Sequence, residues 1–155
     1  MSMDTQLVEH MMNPKNYGTL TGANAEGIGK NPENGEKVVI YLRVGLDENE
    51  AYIADIAFQA IGCTTTIVAG SMITQEAREL NLRGAKHLIE ATMKLLERLP
   101  DEDAACSEMV ALALDAAIDT YTKRQEDPSY PPITYQVTNS CVPKESDTTT
   151  EEKTV

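Results

Sequence analysis

Residues 38–63, VVIYLRVGLDENEAYIADIAFQAIGC, decide how the chain folds. Val38, Ile40, Leu42 and Val44 alternate with Val39, Tyr41 and Arg43, the period of two that a half-buried strand requires. Leu46-Asp47-Glu48-Asn49-Glu50 reads as a polar turn. Ile53 to Ile61 then returns as a second strand, with Ile56, Phe58 and Ala60 on one face. Together they predict an antiparallel hairpin. Gly62 breaks the returning strand, and Cys63 stands at its exit.

Downstream the pattern turns helical. Thr64 or Thr65 can cap a helix, because a threonine oxygen accepts an unpaired first-turn N–H. Val68, Ala69, Met72, Ile73, Ala77 and Leu80 give that helix an apolar side. Asn81 and Gly84 separate it from a second helix, near Lys86 to Arg98, which Pro100 stops. Asp101-Glu102-Asp103 then sets negative charge before a third helix, where it favours the helix dipole. Cys106, Val110, Ala113, Ala117 and Tyr121 form its stripe, flanked by Leu114 and Ile118.

Upstream, Leu7 to Met12 reads as a short helix that Asn13-Pro14 ends. Gly18, Gly22, Gly27, Gly29, Asn31-Pro32 and Asn34-Gly35 crowd residues 13–36, which reads as loop with room for a short edge strand. Strands followed by helices predict an α+β domain over residues 1–121. After Tyr121 come prolines at 128, 131, 132 and 143 and many Ser and Thr, so residues 122–155 read as a polar, extended or flexible tail.

Composition narrows the function. A length of 155 residues suits one domain. Acidic residues outnumber basic ones by 25 to 13, a formal charge of −12, which repels phosphate backbones and anionic lipid. Neither nucleic acid nor a membrane is therefore an expected partner. No apolar run is long enough to span a bilayer. Met1-Ser2-Met3-Asp4 lacks a basic segment followed by an apolar one, so no signal peptide is expected there. Three cysteines make no disulfide framework and point to a reducing, cytoplasmic setting.

Cys63 follows a glycine at the exit of a strand and enters a helix, a setting that favours thiolate. Thiolate attacks electrophiles and binds soft metals. A small buried core residue is the competing reading, and position alone leaves both open. Cys106 has a similar place on the last helix, although Asp103 and Glu108 oppose its ionisation and it shares a packing stripe with Val110. No C-x-x-C pair is present. Cys141 lies in the tail, where an exposed thiol without a role is the simpler reading. Asn34-Gly35-Glu36 reads as a turn, with Glu36 a solvated charge at a strand end. His10 and His87 have no ligand-spaced partner and read as surface or packing residues.

In order, several separated motifs resemble the U-type iron–sulfur cluster assembly scaffolds, the IscU and NifU N-terminal family. Met12-Asn13-Pro14-Lys15-Asn16-Tyr17-Gly18 is similar to the family's N-P-x-N-x-G. Asn34-Gly35-Glu36 stands where the family has C-G-D. Phe58-Gln59-Ala60-Ile61-Gly62-Cys63 resembles F-x-x-x-G-C, and Ala69, Gly70 and Ser71 follow on the helix. Leu99-Pro100 precedes Cys106 at the spacing of L-P-P-V-K-x-H-C, before an alanine-rich last helix. The likeness spans roughly residues 5–121.

The resemblance implies a small antiparallel sheet packed against a C-terminal helical layer. It also implies a transient Fe–S cluster built on three cysteines, with an aspartate and a histidine able to ligate metal. Cys63 and Cys106 keep two of those positions. Asn34 replaces the first cysteine, Glu36 replaces the aspartate, and Ala105 replaces the histidine. Asp101, Glu102 and Asp103 replace P-V-K, the family's docking site for a specialised Hsp70, and reverse the lysine's charge.

An Fe–S cluster generally takes four protein ligands, usually thiolates. Three arrangements fit what remains. Two chains can each give Cys63 and Cys106, so that a cluster bridges a homodimer. One chain can hold zinc or ferrous iron with Cys63, Cys106, Glu36 and water. Alternatively the site is degenerate and the fold is a non-metal module that binds and regulates a partner. Cys141 reaching back as a substitute ligand is a further option. The leading expectation is a scaffold, not a catalyst, that binds iron or a cluster through Cys63 and Cys106. Cysteine desulfurase and recipient apo-proteins are its partners by resemblance. A thiol enzyme using Cys63 as nucleophile ranks last, because no histidine lies near it in sequence to act as base.

Overall fold

A computed structural model describes residues 12–32, 35–48, 50–62, 64–96 and 101–137, with backbone only for 64, 65 and 101–106. The elements run β1 (Ala25–Asn31), β2 (Glu36–Asp47), β3 (Glu50–Ile61), α1 (Thr64–Ala77), α2 (Leu82–Leu96), α3 (Asp101–Arg124) and β4 (Ile133–Gln136). The N-terminal helix expected up to Met12 lies outside the described residues except for Met12 itself, as do the expected caps at Thr64 or Thr65 and the end of the second helix.

The expected hairpin, β2 and β3, forms one side of a four-stranded sheet ordered β3-β2-β1-β4. Val38, Ile40, Leu42 and Val44 are all buried, as their alternation requires. The hairpin is tighter than the sequence suggests. Asp47 pairs with Glu50, and Glu48 enters the turn with φ at +52°. Ile53 and Ile56 are both buried although three positions apart. A bulge explains it: Arg43 pairs with Asp55 and Val44 with Ile53, leaving Ala54 as the extra residue that resets the faces.

β1 is an interior strand, antiparallel to β2 and parallel to β4, where the sequence suggested loop or edge. Its glycines hid it from a reading based on side-chain alternation. Ala25, Gly27, Gly29 and Asn31 face the helices. A Cβ at Gly27 would stand 2.0 Å from the Ala117 nitrogen, and one at Gly29 would stand 2.1 Å from the Met109 oxygen. The bare strand backbone therefore lies flush on α3.

The expected helical layer covers one face of the sheet. α3 crosses β1, β2 and β4; α1 lies against β3 and α3; α2 packs outside, on α3 and α1. The core joins the inward residues of β2 and β3 to Ala69, Ile73, Ile89, Met109, Val110, Ala113, Leu114, Ala117 and Ile118. Met72, expected on the buried side of α1, faces out, while Thr66, Ser71 and Thr74 are buried in its place. Gly84 does not separate two helices but lies inside α2. Asn81 caps that helix, its Oδ1 accepting from the Gly84 N–H at 2.6 Å.

The chain past Tyr121 is structured as far as Val137. Arg124 folds the turn back by donating to the carbonyl oxygens of Tyr130 (2.8 Å) and Asn24 (3.2 Å) and to Glu26 (3.2 Å). The Ile133 N–H donates to Thr120 Oγ1 at 3.0 Å. The Tyr135 hydroxyl donates to Asp119, and Lys86 on α2 donates to both Asp115 and Asp119. These groups latch β4 to both helices. Burial works against the Lys86 ammonium, but the two aspartates outweigh it and raise its pKa above the ordinary lysine value. Burial and the bond to Asp119 push the Tyr135 phenol up as well.

Two outcomes follow from this packing. Gly27→Ala forces backbone against backbone, which cannot rotate away, so it lowers the unfolding free energy by about 3 kcal/mol in urea titration. Both raised groups favour the protonated folded state, so their contribution is complete below their unfolded pKa values and is lost as pH rises through the folded ones. Tyr135→Phe costs about 1 kcal/mol at pH 8. Its melting temperature then falls less than that of the wild type between about pH 8 and pH 11.

Candidate functional site at the open end of the hairpin

β2 begins and β3 ends at the same edge of the fold, since Lys37 pairs with Ile61. The register thereby carries Glu36 to Gly62. A Cβ built on Gly62 would lie 3.2 Å from Glu36 Oε1 and 3.2 Å from Thr66 Oγ1. A carboxylate and a buried hydroxyl thus converge on the residue that precedes Cys63. The absent side chain at Gly62 leaves room for them. Ile61, just before it, is exposed.

α3 brings its first turns to the same end. It runs antiparallel to β1, with Ala113 to Ala117 over Gly27 and Met109 over Gly29. One turn further back lies the backbone of Cys106, on the side of Asn31, which pairs with Glu36. Asn31 and Glu108 are both buried at this end. A carboxylate so enclosed needs a partner or a proton. Cys63, Asn34 and Cys141 lie outside the described residues, and Cys106 is described by its backbone alone. Of the expected ligands, Glu36 is the one whose side chain is described.

The motif at residues 12–18, read in the sequence only by its resemblance, has a structural role here. Residues 15–18 fasten to the outer edge of β3 and to α1. The Phe58 N–H donates to the Asn16 oxygen at 2.9 Å, and the Gly18 N–H donates to the Phe58 oxygen at 2.8 Å. The Asn16 amide donates to Thr74 Oγ1 at 3.0 Å and accepts from Arg78 at 2.7 Å. Arg78 also holds Asp55 at 2.6 Å. The Lys15 N–H donates to Ser71 Oγ at 2.7 Å. Asn16 sits at φ +63°, the left-handed region that asparagine tolerates better than most residues. The Tyr17 ring meets Phe58 edge-on with centroids 5.1 Å apart. The motif is therefore a strap across the strand that ends at Ile61. Its seat on α1 is formed by the buried Ser71 and Thr74.

A cleft of about 520 Å³ lies elsewhere, lined by Asp47, Glu50, Tyr52, Ala54, Glu79 and Asn81. It sits at the turn end of the hairpin, opposite Glu36 and Gly62. Among the described residues no group of three or more His, Cys, Asp or Glu could hold a metal, and no helix is long and apolar enough to cross a membrane.

The mixed four-stranded sheet under three helices is a fold with known relatives. Residues 3–128 match the family described as the NifU-like N terminal domain, and the chain belongs to that family. Iron-sulfur cluster assembly scaffold protein IscU 1 of Archaeoglobus fulgidus is 32% identical over 120 residues, covering 77% of this chain and 76% of that one. Two crystal structures share the fold. One is assigned to an iron–sulfur cluster assembly scaffold of the SUF system in Fervidobacterium islandicum AW-1, with a TM-score of 0.58 at 13% identity over 73% of this chain and 93% of that chain. The other is a nitrogen-fixing NifU-like protein (N-terminal) from Brucella abortus, with a TM-score of 0.55 at 15% identity over 79% and 93%.

Substitutions at Asn16 separate the strap's two functions. Asn16→Gly keeps the backbone conformation and loses the side-chain bonds, costing about 1–2 kcal/mol. Asn16→Ala adds roughly 1 kcal/mol for the left-handed conformation. Urea unfolding then ranks wild type above Gly and Gly above Ala; equal stabilities for the two variants contradict the backbone constraint.

Proposed function

We propose that this protein is an iron–sulfur cluster assembly scaffold whose cargo, iron or a cluster, is held by Cys63 and Cys106 beside the Glu36 carboxylate. The observation that carries this reading is the convergence of Glu36 Oε1 on Gly62, one residue before Cys63. Family membership and the scaffold names of relatives such as that from Archaeoglobus fulgidus support it.

The chemistry suits a carrier. Thiolates bind soft, thiophilic iron strongly. A carboxylate is a harder ligand and exchanges more readily, so a mixed set holds a cluster without trapping it. Glu36 stands where the resemblance calls for an aspartate, and its extra methylene lets it reach back over Gly62. Sulfur arrives from a cysteine desulfurase and the cluster leaves to recipient apo-proteins. The protein contributes coordination and not catalysis.

Anaerobic reconstitution with ferrous iron and sulfide tests the ligands. Wild type binds iron and shows sulfur-to-iron charge-transfer absorption. The Cys63→Ser, Cys106→Ser double variant shows neither, and Glu36→Gln binds roughly tenfold more weakly. Equal iron uptake by the wild type and the double variant overturns the assignment.

A further inference from the structure

β4 is attached differently from the rest of the sheet. It lies beyond residue 128, where the family match ends, and residues 125–132 join it to α3. It seats in a groove whose floor is the edge of β1 and whose wall is the last turns of α3. Gly27 pairs with Ile133 and Gly29 with Tyr135, in parallel register. Thr120 Oγ1 accepts the Ile133 N–H at 3.0 Å, Asp119 accepts the Tyr135 hydroxyl, and the Lys30 oxygen accepts the Val137 N–H at 2.9 Å. Val137 is buried in the core.

None of these contacts depends on which chain supplies the strand. The contacts that do depend on it belong to the connection. The Tyr130 N–H donates to the Asp127 oxygen at 2.9 Å, and Ser129 donates from its N–H and its hydroxyl to Asp127 Oδ1. Arg124 donates to the Tyr130 oxygen at 2.8 Å. Residues 125–129, 131 and 132 are all exposed. Opening the connection therefore uncovers little apolar surface and gives up bonds that water replaces at small net cost.

Pro131 and Pro132 stiffen the entry to β4. Each proline fixes its own φ and pushes the residue before it toward an extended conformation, so the hinge resists tight reversal. A short, stiff hinge on a strand held by its own separable contacts is the arrangement that favours exchange of that strand between copies.

We infer that β4 is an exchangeable strand: two copies of this chain open at residues 125–132, and each lays residues 133–137 in the other's groove. The occupant is a second copy because its β4 already matches the register of β1, the Thr120 acceptor and the Asp119 carboxylate. The exchanged dimer keeps every β4 contact of the single chain. It loses the bonds of the turn and bears the entropy of association, so concentration favours it. It forms and separates slowly, because β4 must leave one groove before it enters another. In the closed chain the same strand guards the β1 edge. The inference is independent of what the chain carries.

Ile28 and Thr134 pair directly across the two strands, at a separation that suits a disulfide. Ile28→Cys and Thr134→Cys are therefore placed in separate full-length chains, which are mixed, incubated at graded concentrations and mildly oxidised. Peptide mass spectrometry finds the 28–134 disulfide between chains, in a yield that rises with concentration. Replacing Pro131 and Pro132 by alanine lowers that yield at equal concentration. The double variant, Ile28→Cys with Thr134→Cys in one chain, closes internally when dilute. If it does so while the mixed chains give no 28–134 disulfide at any concentration, the inference falls. If mixing yields dimers joined only through other cysteines, it falls as well. A second measurement needs no added cysteine. Deleting residues 126–129 leaves β4 too little chain to fold back, so light scattering finds a dimer in which the Tyr135 and Val137 amides stay protected from deuterium exchange. A monomer, or a dimer without that protection, overturns the inference.

Discussion

The contact on which the rest of the structure depends is backbone against backbone, between β1 and α3. Gly27 and Gly29 present no side chain, so the helix settles directly on the strand. Ala113, Ala116 and Ala117 answer with the smallest side chains a helix can carry and still favour its form. This closeness fixes the azimuth and height of α3 over the sheet. It thereby fixes how the first turns of the helix overhang Asn31 and Glu36. A larger residue on either surface would lift the helix and misalign that end.

Much of the fold was legible in the sequence. The alternation of Val38, Ile40, Leu42 and Val44 marked β2, and the stripe from Val110 to Ala117 marked α3. Both signals come from side chains that must be buried. β1 escaped for the converse reason. A strand that buries its own backbone looks like a loop when judged by hydrophobic alternation. The bulge at Ala54 also left no mark, because Ile53 and Ile56 share a face only after it shifts the register. β4 was hidden among prolines and hydroxyls, and its place depends on long-range bonds to Thr120 and Asp119 that no local pattern reveals.

The site was legible in a different way. Glu36 alone reads as a solvated charge, and only its pairing across the hairpin gives it a neighbour at Gly62. The strap at residues 15–18 was visible as a motif, but its mechanics were not. Asn16 connects Phe58, Thr74 and Arg78, and through Arg78 reaches Asp55. It clamps the strand at Phe58, four residues before Gly62.

The two margins of the sheet have one more consequence. β3 is occupied along its free side by Tyr17 at Phe58 and by Asn81 at Tyr52. β4 forms the other margin with four residues preceded by two prolines. Among the described residues, neither rim offers a long row of open amides for a stranger's strand to copy. Extension of the sheet by a foreign strand is thereby disfavoured at both of its described edges.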